Sequence, residues 1–109
     1  MKRLILCALF TAACGHGTGS IDKTEGAACL SDRDCDHLCY QGGHFPGGFC
    51  SVPCRTDLDC PDDSLCMSDS GGVCMFVCPP FDCARLGPGW SCRERDQLGG
   101  GHADVCSGD

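Results

Sequence analysis

The residues most capable of chemistry in this chain are its cysteines, fourteen in 109 residues. A thiol can ligate a metal, attack an electrophile or oxidise to a disulfide, and spacing separates these roles. Zinc ribbons and redox centres use C-x-x-C. Here the closest cysteines have three residues between them. Cysteine at this density in a short chain reads as a disulfide scaffold made in an oxidising compartment. From Cys29 onward, twelve cysteines fall into three consecutive sets of four. The first set is Cys29, Cys35, Cys39 and Cys50. The second is Cys54, Cys60, Cys66 and Cys74, and the third is Cys78, Cys83, Cys92 and Cys106. An even set can pair completely, so Cys14 is the odd exported thiol.

Other candidate chemistries are weaker. Asp32, Asp34 and Asp36 alternate as the opening ligands of an EF-hand do. His37 and Gly43 stand where that loop needs Gly and Glu. Asp57, Asp59, Asp62 and Asp63 could form an oxygen-rich calcium site, although turn carboxylates are ordinarily solvated. Asp69-Ser70-Gly71-Gly72 is similar to the nucleophile loop of trypsin-like proteases, but its flanks differ and that fold needs more than twice this length. A hairpin turn explains the same residues. His16 lies in a polar stretch, while His37, His44 and His102 read as exposed loop residues. Met75, Phe76, Val77, Phe81 and Trp90 form an apolar cluster. It is either packing over the disulfides or a partner-binding patch. No nucleophile–base set, metal site or cofactor site assembles from these residues, so no enzyme is expected and no cofactor.

The N-terminus carries a different signal. Met1-Lys2-Arg3 is basic, Leu4 to Phe10 is apolar and Thr11-Ala12-Ala13 is small, which is the pattern of a signal peptide. The apolar run is too short for a spanning helix, which needs about 20 residues. Thr11-Ala12-Ala13-Cys14 resembles the bacterial lipobox, with Thr11 where Leu is preferred. The resemblance implies cleavage after Ala13 and acylation of Cys14. It makes the membrane a partner through a lipid anchor, at the outer membrane or cell surface, with secretion as a soluble protein the alternative. Gly15 to Gly26 is polar, glycine-rich and free of cysteine, as a flexible tether is. Removing residues 1–13 takes two basic groups and no acid, so the net charge moves from −7 to −9. Such a surface repels nucleic acid, and a protein partner, if there is one, is not named by the sequence.

The elements that must position the cysteines repeat with them. The second cysteine of each set follows Asp (Asp34, Asp59, Asp82), and the fourth follows Phe49, Val73 or Val105. Ser31-Asp32 and Thr56-Asp57 share one offset; in the third set Pro79-Pro80 replaces that pair. An internal repeat of about 25 residues follows. Between the third and fourth cysteines of each set, short β-prone runs flank a glycine-containing loop, the pattern of a hairpin. The expected fold is a small disulfide-rich one, with three tandem four-cysteine units carrying short β-hairpins and little or no helix beyond the signal. Its segments are a signal peptide over 1–13, lipid attachment and tether over 14–28, and units over 29–53, 54–77 and 78–109, the last degenerate.

The C-x5-C spacing, as in Cys54-Arg55-Thr56-Asp57-Leu58-Asp59-Cys60 followed by Cys66, resembles the Dickkopf N-terminal module, the EB module and the middle of a whey-acidic-protein domain. It covers about 25 residues per copy. This chain lacks the adjacent cysteine pair of the last family, and with it the warrant for that family's protease inhibition. Four cysteines allow three connectivities, and sequence alone does not choose. First-to-third and second-to-fourth pairing would pin each hairpin, leaving beads joined by Ser51-Val52-Pro53 and Met75-Phe76-Val77. The whey-acidic-protein resemblance implies instead Cys60–Cys78, which would weld the units into a rod. The function expected is a lipid-anchored binding or structural module. The alternative is a secreted inhibitor of proteases or other hydrolases presenting a stapled loop such as Gly42 to Gly48.

Overall fold

A computed structural model describes residues 21–109. The signal peptide and Cys14 lie outside the described residues. Three antiparallel hairpins follow one another. The first joins β1 (Leu38–Tyr40) to β2 (Phe49–Ser51), the second β3 (Ser64–Met67) to β4 (Val73–Phe76), the third β5 (Ser91–Asp96) to β6 (His102–Ser107). Short 3-10 turns at Asp32–Asp34, Asp57–Asp59, Asp69–Gly71 and Cys83–Leu86 are the only helical elements among the described residues.

In every hairpin the third cysteine faces the fourth across the strands: Cys39 opposite Cys50, Cys66 opposite Cys74, Cys92 opposite Cys106. Opposite residues of an antiparallel pair point to one face, so both thiols reach the segment that precedes the hairpin. There the first and second cysteines meet them. The bonds are Cys29–Cys39 and Cys35–Cys50, Cys54–Cys66 and Cys60–Cys74, Cys78–Cys92 and Cys83–Cys106. Their Cα separations of 5.3–5.9 Å are those of an ordinary disulfide. Cys60 therefore does not reach Cys78.

The repeated acidic turn is built by its own carboxylates. Asp34 Oδ2 accepts from the Leu30 and Ser31 amides at 2.8 and 3.2 Å, and Asp59 Oδ2 accepts from Arg55 and Thr56 at the same distances. One turn earlier, Asp32 Oδ1 accepts from the Cys39 amide at 2.8 Å and Asp57 Oδ1 from the Cys66 amide at 2.9 Å. Each turn thus closes on itself and grips the strand that carries the third cysteine. In the third unit the Asp82 carboxylate accepts from the Ala84 amide two residues on, in a turn that lacks the Ser/Thr-Asp pair.

Although the disulfides stay within units, the units are not beads. Met75 and Phe76, expected in a linker, complete β4 and are 0% and 1% exposed. The Cys74 amide donates to Val52 O, and Pro53 bridges to Val73, so units 1 and 2 are laced at their junction. Unit 3 is laced to unit 2 where Ser68 N donates to Asp96 O and Leu98 N to Cys66 O. A single aromatic core runs through all three. Phe45 stacks on Phe49, Phe49 meets Phe76 edge-on at 6.0 Å, and Phe76 stacks on Phe81 at 4.1 Å. Trp90 packs 5.1 Å from Phe49 and its Nε1 donates to Pro46 O at 2.8 Å. The apolar cluster offered as an interaction patch is therefore corrected. Met75, Phe76, Phe81 and Trp90 are buried, with Val77 half-buried beside Val105. A chain this poor in large side chains has one core to fill, and sharing it buries more apolar area than three separate beads could.

The tether expected over residues 14–28 is also shorter than expected. Residues 21–28 fold back as a strap. Gly26 N donates to Cys50 O, Cys50 N donates to Ala27 O, and Asp36 N donates to Lys23 O, all at 2.9 Å.

Candidate binding groove

The loops of hairpins 1 and 2 meet on one side of the molecule. His44 Nδ1 donates to Asp69 Oδ2 at 2.8 Å, joining unit 1 to unit 2. Around this contact lies a cavity of about 350 Å³ lined by Gln41, His44, Phe45, Asp69, Ser70 and Asp109. Beyond Ser70 a second cavity of about 560 Å³ continues along Leu38, Tyr40, Pro53, Arg55 and Gly72. The two share Ser70 and lie side by side as an open groove along the unit boundary. Tyr40 and Leu38 supply its apolar surface. Burial, and secondarily the Asp32 carboxylate, raise the pKa of Tyr40, so its phenol stays protonated and can donate a hydrogen bond to an occupant.

Ser70 sits at φ +53°, a left-handed conformation unusual for a side chain other than glycine. With His44 and Asp69 beside it, the parts of a hydrolytic set are close together. The link that would make them one is missing, because no hydrogen bond joins Ser70 to His44 among the described residues. The left-handed turn is explained by the tight five-residue loop, 68–72, that returns β3 to β4.

No family model, curated protein or solved structure matches this chain.

The groove and its neighbours therefore carry the functional reading. Of the four residues weighed for calcium, Asp57 and Asp59 spend carboxylate oxygens on backbone amides. Asp62 and Asp63 join them in no shared set of ligand atoms. Hydrogen bonds from Leu30 and Ser31 to Asp34, and from Arg55 and Thr56 to Asp59, hold both carboxyls below the usual range. They are turn supports, and alternation mimicked an ion loop because the same spacing suits both. Among the described residues, the trios of ligand atoms near enough to share an ion are all cysteine sulfurs, each spent in a disulfide. The stapled loop Gly42 to Gly48 turns its one large apolar side chain inward, leaving Phe45 4% exposed.

Two groups escaped the sequence reading. His44 was a loop histidine, and its partner lies 25 residues away, beyond any local pattern. Glu25 fell within the supposed tether, yet is only 3% exposed. The other histidine contact, His102 Nδ1 to Asp96 Oδ1 at 2.9 Å, is local to hairpin 3 and exposed.

Proposed function

We propose that this protein is an exported lipoprotein, held at the outer membrane or cell surface through Cys14, whose rigid body binds a protein partner in the groove between units 1 and 2. The observation that carries the binding role is the groove itself. Two loops pinned by separate disulfides are locked together by His44 and Asp69, and present Leu38 and Tyr40 on a surface that needs no reorganisation to bind. Preorganisation of this kind lowers the entropic cost of association. Six disulfides support residence in an oxidising, extracytoplasmic compartment. The lipobox-like Thr11-Ala12-Ala13-Cys14 and the odd thiol support the anchor. The role proposed for the groove is recognition rather than catalysis.

In a bacterial host with lipoprotein machinery, the wild type is expected to take up labelled fatty acid and to partition with membranes. Cys14→Ala should lose the label and appear in a soluble fraction. Cross-linking in the envelope should trap a complex with wild type that Leu38→Asp and Tyr40→Glu lose. An unlabelled wild type would refute the anchor. A complex untouched by both groove variants would refute the groove.

A further inference from the structure

Glu25 is the most anomalous group in the molecule. It leaves the strap (residues 21–28) and enters the junction of units 1 and 2, where it is 3% exposed. Its Oε2 is in short contact with the hydroxyl of Ser64, itself 5% exposed, at the start of β3. Its Oε1 is buried with no hydrogen-bond partner among the described residues, and no cation among them answers it. Asp22 of the strap and Asp63 ahead of β3 are its charged neighbours and both repel it. Lys23 is exposed and Asp36 receives the Thr24 hydroxyl at the surface, while β2 and β4 contain no charged residue. The position above Glu25 is closed by Gly26, where even a methyl group would lie 3.1 Å from the Phe76 ring. A charged carboxylate in that site is shielded from bulk solvent and faces two like charges, whereas a protonated one can remain.

We propose that residues 21–28 are a proton-dependent strap, latched against units 1 and 2 by neutral Glu25 and released when that carboxyl ionises. Desolvation above all raises the Glu25 pKa from 4.5 to about 8, against a lowering by the Ser64 hydrogen bond and with a further rise from Asp63 and Asp22. The docked state therefore binds the proton more tightly than the open one. Docking is strongest below pH 4.5, weakens progressively as pH rises toward 8, and is flat above it. If Cys14 is acylated, as proposed above, release adds eight residues between anchor and body, about 26–29 Å at full extension. The strap would then set how far the groove stands from the membrane.

Amide exchange in the exported, purified protein tests the strap without reference to the anchor. The Gly26 and Cys50 amides form two of the three backbone rungs that hold it. After correction for intrinsic rates, their protection should fall roughly four-hundredfold between pH 5 and pH 8 in the wild type. In Glu25→Gln it should stay level. Carboxyl carbon NMR of the wild type gives a second reading that needs no variant, with a Glu25 midpoint near 8. Constant wild-type protection, an equal fall in Glu25→Gln, or a midpoint near the ordinary 4.5 would each overturn the latch.

Discussion

Alanine at Gly72 is expected to destabilise the protein by at least about 3 kcal/mol and to impair its oxidative folding. Gly72 lies at φ +126°, and a Cβ built on it would stand 2.2 Å from the carbonyl oxygen of Cys54. That obstacle is backbone. It also belongs to the cysteine whose amide donates to Gly72 O at 3.1 Å and whose thiol must reach Cys66. Moving it aside costs the hydrogen bond and the disulfide geometry together. Gly48 repeats the arrangement in unit 1, at φ +86° and with a Cβ position 1.9 Å from Cys29 O. Both glycines stand two residues before the fourth cysteine of their unit, and the close approach is thus a property of the repeat. Gly71→Ala is the control, because Gly71 has a positive φ of 82° but nothing within 4 Å of its Cβ position. Thermal unfolding should show Gly72→Ala losing roughly 12–24 °C, against a few degrees for Gly71→Ala. Equal, small losses in the two variants would show that the strand approach is not tight.

Phe76→Ala should cost about 3–5 kcal/mol, the usual toll for deleting a buried aromatic ring. The expected pattern is more informative than the size. Phe76 belongs to unit 2, yet its ring touches Phe49 of unit 1, Phe81 of unit 3 and the strap at Gly26. Tyr40 reports on unit 1 and Trp90 on unit 3. With a shared core, the tyrosine and tryptophan signals should unfold together in the wild type and together again, at a lower midpoint, in the variant. Independent units would leave one or both midpoints in place.

The sequence made part of this architecture legible because cysteine, glycine and aspartate have local duties. The three sets of four, the hairpin between the third and fourth cysteines, and the absence of long helices all follow from spacing within about 25 residues. The six pairings coincide with first-to-third and second-to-fourth bonding, the connectivity that pins each hairpin. The shared core was not legible. Met75 and Phe76 carry no mark that distinguishes a linker from the end of a strand, and the Phe76 ring packs on Phe49, 27 residues earlier in the chain. Asp57 and Asp59 were legible as a turn but ambiguous between gripping an ion and gripping amides. Glu25 was hidden by its surroundings: a polar, glycine-rich run looks solvated until a partner surface is placed beside it. The groove was hidden for the same reason, since His44 and Asp69 come together only when units 1 and 2 share one core.

The account rests on oxidised, unit-by-unit stapling of one folded body. Protein recovered from the envelope with its thiols blocked at lysis, then digested without reductant, tests this directly by mass spectrometry. The expected result is no blocked cysteine from Cys29 onward and six cross-linked peptides: Cys29–Cys39, Cys35–Cys50, Cys54–Cys66, Cys60–Cys74, Cys78–Cys92 and Cys83–Cys106. Free thiols among these twelve, or a Cys60–Cys78 peptide, would contradict it.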